Sequence, residues 1–233
     1  MANNMFKCDG IIYRYRAGSL EVWGFSDKND KRIHLKIPEH LHVTYANKHM
    51  NVPISEICKD AFNGAINLIQ VFIPKSVTRI GDRAFANCIN LREVHSEKAA
   101  PDIEIATMAF SGCLNLNTVK MTRTVKFLGS EAFGDCYGLE YVNMPMKRIN
   151  NYAFKNCANL KRIFLAEEAI IHNNTIEKTG IEELYFFDGF DSISSGVLKW
   201  IRSHGVTLCC PDFSNVCDLA CDGFNVVVDV SII

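Results

Sequence analysis

Leu128-Gly129-Ser130-Glu131-Ala132-Phe133-Gly134-Asp135-Cys136-Tyr137-Gly138-Leu139-Glu140-Tyr141-Val142-Asn143-Met144-Pro145 sets the architecture, because its apolar positions return at a nearly constant interval. The pair Ala-Phe recurs at Ala61-Phe62, Ala84-Phe85, Ala109-Phe110, Ala132-Phe133 and Ala153-Phe154, with phenylalanine spacings of 23, 25, 23 and 21 residues. Three residues after the last four phenylalanines comes Cys88, Cys113, Cys136 or Cys157, whereas the first has Ala65 there. Three further on stands Leu68, Leu91, Leu116, Leu139 or Leu160, and three beyond that Val71, Val94, Val119, Val142 or Ile163. A period of this length, repeated this often, is the signature of a repeat architecture.

The spacing within a repeat carries its own physics. In Leu91-Arg92-Glu93-Val94-His95-Ser96 the first, fourth and sixth positions face inward, the last two as alternate residues of a short strand. One turn of chain cannot bury its own apolar face. Stacked turns cover one another, and their strands hydrogen-bond into a parallel sheet. Pro74 and Pro145 follow the strands, where a missing N–H costs little. Gly81 and Gly129 are expected to supply a corner at low steric cost.

These motifs resemble the bacterial surface-antigen (BspA-like, treponemal) type of leucine-rich repeat, most closely over Ile80–Ser96 and Leu128–Pro145. The resemblance implies a leucine-rich-repeat solenoid, a right-handed β-rich superhelix with short helical turns. It further implies a parallel sheet on the concave face, an N-terminal strand-pair cap and a C-terminal helix-strand cap. Two departures stand out: Ser96 replaces the final aliphatic residue, and the turn around Ala99–Pro101 holds a two-residue insertion. Gly18–Phe25 alternates apolar and polar before Leu35-Lys36-Ile37-Pro38, as the family's lead-in does. Beyond Phe154 strand-like triplets continue at Leu184–Phe186, Val206–Leu208 and Val226–Val228. Ser194–Ser203 is expected to be a helix with Val197, Leu198 and Ile201 on one face and Gly205 as its stop. Cys210–Phe224 resembles a closing helix and strand. The chain, 1–233, therefore reads as one solenoid domain: cap and lead-in rung over 1–53, repeats over 54–187, degenerate repeats and cap over 188–233.

Composition narrows the function. Of 233 residues, 48% are hydrophobic and 22% charged, enough apolar surface for a sizeable core. The net charge of −1, without any block of like charges, gives no reason to expect nucleic acid or anionic lipid as partner. The start, Met1-Ala2-Asn3-Asn4-Met5-Phe6-Lys7-Cys8, lacks the basic segment and apolar run of a secretory signal, which points to the cytoplasm. The resemblance points instead to the cell surface or secretion. No stretch is long enough to insert in a membrane.

If the sheet lines a concave face, its outward residues lie between the inward ones. They are Gln70 and Phe72, Glu93 and His95, Thr118 and Lys120, Tyr141 and Asn143, Arg162 and Phe164, Glu183 and Tyr185. Aromatic and arginine side chains give large contact area at modest ordering cost, so Phe72, His95, Lys120, Tyr141, Asn143, Arg162, Phe164, Glu183 and Tyr185 are the candidate partner-binding set. A protein is the expected ligand. The same row would also suit ordinary solvated residues of a soluble protein.

No catalytic constellation emerges. Glycine-rich phosphate loop, metalloprotease helix and nucleophile elbow are all missing. A Cys–His dyad needs its members to meet only in space, which a sequence does not decide. By resemblance Cys88, Cys113, Cys136 and Cys157 point inward as small hydrophobes, and rungs about 4.8 Å apart are too distant for the usual disulfide. Cys209, Cys210, Cys217 and Cys221 could form a zinc site, or a disulfide in an exported protein; adjacent Cys209 and Cys210 point to opposite sides of a strand, which disfavours zinc. His40, His42 and His49 fall in Glu39–Val52, expected to be an irregular loop of solvated histidines. Neither metal nor cofactor is expected. The leading expectation is a non-catalytic binding or adhesion protein, the alternative an intracellular or virion-associated structural component packed against other subunits.

Overall fold

Each repeat closes one turn of chain with two short strands and a tight corner. The computed structural model describes residues 4–97, 101–172, 174–175, 178–186, 195–210 and 224–228. The expected repeat sheet is present: β4 (His34–Lys36), β7 (Gln70–Ile73), β9 (Glu93–Ser96), β11 (Thr118–Lys120) and β13 (Tyr141–Asn143) run parallel. Their register lines up Leu35, Val71, Val94, Val119 and Val142, all fully buried. The lead-in Leu35-Lys36-Ile37 is thus the first strand of this sheet.

A second parallel sheet, not foreseen from the sequence, lies across the core. It joins β6 (Lys48–Ile57), β8 (Arg79–Ile80), β10 (Ile103–Ile105), β12 (Val125–Leu128) and β14 (Met146–Ile149), aligning Ile57, Ile80, Ile105, Leu128 and Ile149. β8, β10, β12 and β14, of two to four residues each, are too short to show a period of two. β15 (Arg162–Ile171) serves both sides: Arg162–Leu165 pairs with β16 (Glu183–Phe186), while Ile170 and Ile171 pair with β14. β17 (Thr207–Cys210) and β18 (Val226–Val228) extend the stack in parallel.

The third side is the Ala-Phe turn, and it too is a ladder. Phenylalanine N–H groups donate to the alanine carbonyl one rung on, Phe85 to Ala109, Phe110 to Ala132 and Phe133 to Ala153, each at 2.8 Å, and Phe154 donates to the Thr175 carbonyl at 3.1 Å. The rings stack in a column, with centroids 5.2 Å apart from Phe62 to Phe85, Phe85 to Phe110 and Phe110 to Phe133, and 5.6 Å from Phe133 to Phe154. Two left-handed residues per turn make the corners, the first at Asp60, Arg83, Met108, Glu131 and Tyr152, the second at Gly64, Asn87, Gly112, Asp135 and Asn156. Gly81 and Gly129 are not among them. They serve close approach instead, since a Cβ on either would lie 2.6 Å or 2.5 Å from backbone atoms of the preceding rung.

At the N-terminus the expected strand pair extends to a three-stranded antiparallel meander, β1 (Met5–Cys8), β2 (Ile11–Arg16) and β3 (Ser19–Phe25), with β3 parallel to β6. Phe25 sets its ring 4.8 Å from Phe62, so the meander caps the aromatic column. The stretch expected to be a loop is a hairpin: β5 (His40–Tyr45) pairs antiparallel with β6. Its two-residue turn, Ala46-Asn47, has positive φ at both positions (48° and 61°), the backbone that matches strand twist. Ala-Asn lacks the glycine that signals such a turn. Alternate residues Leu41, Val43, Met50 and Val52 face the core, and Tyr45 packs on Tyr15 at 4.9 Å.

Near the other end, α1 spans Ser195–His204, and Gly205 (φ 64°) ends it with Val206 N–H donating to Ile201 C=O. Ile201 and Trp200 are buried and Leu198 packs against the core; the expected face omitted Trp200. Ser194, the side chain of Val197 and residues 211–223 lie outside the described residues. Arg123 is a buried cation between β11 and β12. Only 3% exposed, its guanidinium reaches back two rungs, and Nη1 donates to the Val77 carbonyl at 2.7 Å. Burial pushes its pKa down to about 10, against the opposing pull of Glu97.

Candidate functional site

The outward face of the repeat sheet is built by register. Because the strands pair in parallel without slip, Gln70, Glu93, Thr118 and Tyr141 form one row, and Phe72, His95, Lys120 and Asn143 a second. The leading half of β15 lies beside β13, outside the five-stranded ladder, and aligns Arg162 with Glu183 and Phe164 with Tyr185 on β16. Register thus aligns five of the nine candidate residues on β7 to β13 and the other four on β15 and β16.

Neighbouring side chains hold one another in place. His95 stacks on Phe72 at 5.3 Å, and its Nε2 lies 2.8 Å from the Glu93 carboxylate, which also accepts from Gln70 Nε2 at 2.7 Å. Hydrogen bonds from His95 and then Gln70 hold the Glu93 carboxyl below the usual carboxylate range. The Lys120 ammonium sits 5.9 Å from the Tyr141 ring, and Asn143 donates to the Tyr141 hydroxyl at 3.1 Å. Arg162 pairs with Glu183 at 2.5 Å and lies over the Tyr185 ring.

Exposure divides the row in two. Phe72 and Tyr141 are each 38% exposed, and Lys120 and Arg162 are exposed as well. Phe164 and Tyr185 are only 8% and 6% exposed and form a small cluster with Cys209. Burial raises the Tyr185 phenol above its ordinary pKa. These two aromatics lie on the expected face yet offer little surface. Sequence alternation places a side chain on a face but does not say whether something covers it.

The repeat cysteines are free thiols with no exposed surface. Cys88, Cys113, Cys136 and Cys157 donate to the carbonyls of Phe62, Phe85, Phe110 and Phe133, one rung back, at 3.2, 3.1, 3.2 and 3.0 Å. Burial lifts Cys113 and Cys136 well above the usual thiol range and pushes Cys157 up to about 12. Such thiols are poor nucleophiles. Iodoacetamide labelling of the native protein, read by mass spectrometry, is expected to leave all four unmodified and to reach them only after guanidinium unfolding. Labelling of any of the four in the folded protein would contradict this placement.

A parallel device stiffens the flank of the sheet. Asn90 donates to the Ile66 carbonyl at 2.9 Å, Asn115 to Ile89 at 2.8 Å and Asn159 to Tyr137 at 2.8 Å. At Gly138 the backbone N–H reaches Leu114 directly at 3.1 Å. The recurring Asn-Leu dipeptide could have revealed this ladder in the sequence. Cys209 is 2% exposed, while Cys217, Cys221 and the side chain of Cys210 lie outside the described residues. His42 and His49 share the outer face of the hairpin, where the Thr44 hydroxyl lies 2.9 Å from His49 Nδ1. Among the described residues no group of three or more His, Cys, Asp or Glu could hold a metal ion, and no helix is long and apolar enough to cross a membrane.

Comparison with known proteins agrees with this geometry. A T. pallidum leucine-rich repeat protein of known structure is similar over 87% of this chain and 97% of its own, at 21% identity and a TM-score of 0.57. A Eubacterium ventriosum leucine-rich repeat protein has the same TM-score at 24% identity; the similarity covers 83% of this chain and 53% of that one. A Bacteroides ovatus protein of the same class covers 96% of this chain at 20% identity, with a TM-score of 0.50. At these identities the likeness establishes the fold. No curated protein matches the chain. The BspA type leucine rich repeat region matches in six copies over residues 55–104 and 100–203, and the chain belongs to that family.

Proposed function

We propose that this protein is a non-catalytic module that binds another protein through the outward face of the repeat sheet, in the manner of an adhesin. The observation that supports this reading most is the group of exposed side chains Phe72, Lys120, Tyr141 and Arg162 on neighbouring strands. These residues are exposed, and neighbours on adjacent rungs already fix their geometry. A surface held in place before binding loses little side-chain entropy on contact. Leucine-rich repeat proteins are generally binding modules, and stacked repeats offer extended surfaces for the purpose.

The test is a binding screen of immobilised extracellular proteins against the whole chain, followed by the Phe72→Ala/Tyr141→Ala/Arg162→Ala variant. Truncating central aromatic and arginine anchors commonly costs at least about 2 kcal/mol, so a loss of roughly thirtyfold or more is expected. Unaltered affinity of the triple variant for a captured ligand would remove the sheet face from the mechanism.

A further inference from the structure

The residue after each column cysteine, or after Ala65 in the first repeat, is apolar and faces solvent. Ile66 is 52% exposed, Ile89 38%, Leu114 43% and Tyr137 50%, and Ala158 ends the series. Their backbones are linked rung to rung through the Asn and Gly138 hydrogen bonds described above, so the side chains form a ridge along the flank of the repeat sheet. Soluble chains tolerate exposed aliphatics singly; a row in register is a different object.

We infer that this ridge docks an amphipathic helix of the protein partner, laid along the solenoid axis with an uncharged contact face. The inference rests on the protein-binding reading only for the class of partner.

Three observations specify this occupant. The first is charge. Residues 61–74, 84–91 and 105–119 contain no Asp, Glu, Lys or Arg, so the chain on either side of Ile66, Ile89 and Leu114 is uncharged, and acidic residues adjoin the ridge at its two ends, Asp30 beside Asn67 and Asp135 beside Tyr137. The Asn90 and Asn115 side chains are already donating within the ladder. A charged contact face would lose hydration here without gaining a partner.

The second is area. Three rung steps of 5.2 Å make a strip about 16 Å long and about one side chain wide. That is on the order of 200 Å², against about 800 Å² per partner in a stable protein pair, so the ridge alone is too small to hold a second copy of this chain. A helix of about 11 residues has the required length.

The third is pitch. The phenylalanine rings of successive rungs stand 5.2 Å apart, close to the α-helical pitch of about 5.4 Å, so one apolar helix residue can meet each rung. An extended strand repeats a face only every ~6.7 Å and falls out of step. Buried Cys88, Cys113 and Cys136 anchor the chain just before Ile89, Leu114 and Tyr137, so the ridge is rigid before contact.

The test uses the whole chain and a fluorescein-labelled peptide of about fourteen residues, with leucines at i, i+4, i+7 and i+11 and all charges on the opposite face. A peptide of equal composition with leucines at alternate positions is the control. Fluorescence anisotropy is expected to show the helical peptide binding at least about tenfold more tightly than the control. The Ile89→Lys/Leu114→Lys variant should lose at least about tenfold, with its thermal midpoint retained. The Phe72→Ala/Tyr141→Ala/Arg162→Ala variant should keep the peptide affinity, which separates failure of the ridge from failure of the sheet face. Should the lysine variant lose stability, the single variants Ile89→Ser and Leu114→Ser replace it with the same expectation. Equal binding of both peptides, or full affinity in the ridge variants, overturns the proposal. So does sedimentation showing a dimer that the ridge variants abolish, because the occupant is then a second copy.

Discussion

Replacing Phe110 with alanine is expected to lower unfolding stability by about 3–5 kcal/mol, the upper range for a buried aromatic. Phe110 has no exposed surface and sits mid-column, with Phe85 and Phe133 each 5.2 Å away and nearly parallel, at 3° and 2°. Removing its ring forfeits transfer energy and both stacking contacts, and leaves a void. The void cannot close readily, because the turns on either side are hydrogen-bonded to Phe110 and its neighbours at 2.8 Å. A rung can collapse only by breaking those bonds. Solenoid stability is largely a sum of nearest-neighbour terms, and a central rung contributes two of them. Guanidinium unfolding followed by far-UV circular dichroism measures the effect. A loss below about 1 kcal/mol would mean that the aromatic column is incidental to the fold.

Gly24→Ala is expected to be nearly as damaging, for a different reason. A Cβ at Gly24 would stand 2.0 Å from the Ala61 carbonyl oxygen, and the residue has φ 125°, which side chains rarely adopt. The register of β2 and β3 slips here, leaving Trp23 as an extra residue and aiming Phe25 at Phe62. Alanine must push the meander off the first turn, and Phe25 goes with it. A cost of about 3 kcal/mol or more is expected, concentrated in the cap. Hydrogen exchange should show β1 to β3 losing protection while the central rungs keep theirs. Gly18→Ala is the control: it has φ 90° but nothing within 4 Å, so it carries backbone strain alone, about 1–2 kcal/mol. If the two variants prove equally stable, the contact with Ala61 does not hold the cap.

The repeat sheet and the aromatic column were legible because every rung restates them. Ala-Phe, Cys, Leu and Val recur at matched spacing, and stacking converts that recurrence into registered rows. The outward row followed from alternation alone. Phe25 was not legible as the end of the column, since it belongs to no Ala-Phe pair, nor was the Ala46-Asn47 hairpin, whose turn lacks glycine. The exposed ridge could have been read from the residue that follows each column cysteine.

Local pattern settled which side chains point inward and which share a face, because a solenoid rung touches only its neighbours and the period repeats those contacts. Tertiary contacts settled which outward residues remain uncovered. Phe72 and Phe164 occupy equivalent positions in their rungs, yet one is 38% exposed and the other 8%. They also showed that the glycines at 81 and 129 are set by backbone approach between rungs, and that Arg123 reaches across two rungs to a buried carbonyl. Such properties depend on distances between segments far apart in sequence, which no spacing within a repeat encodes.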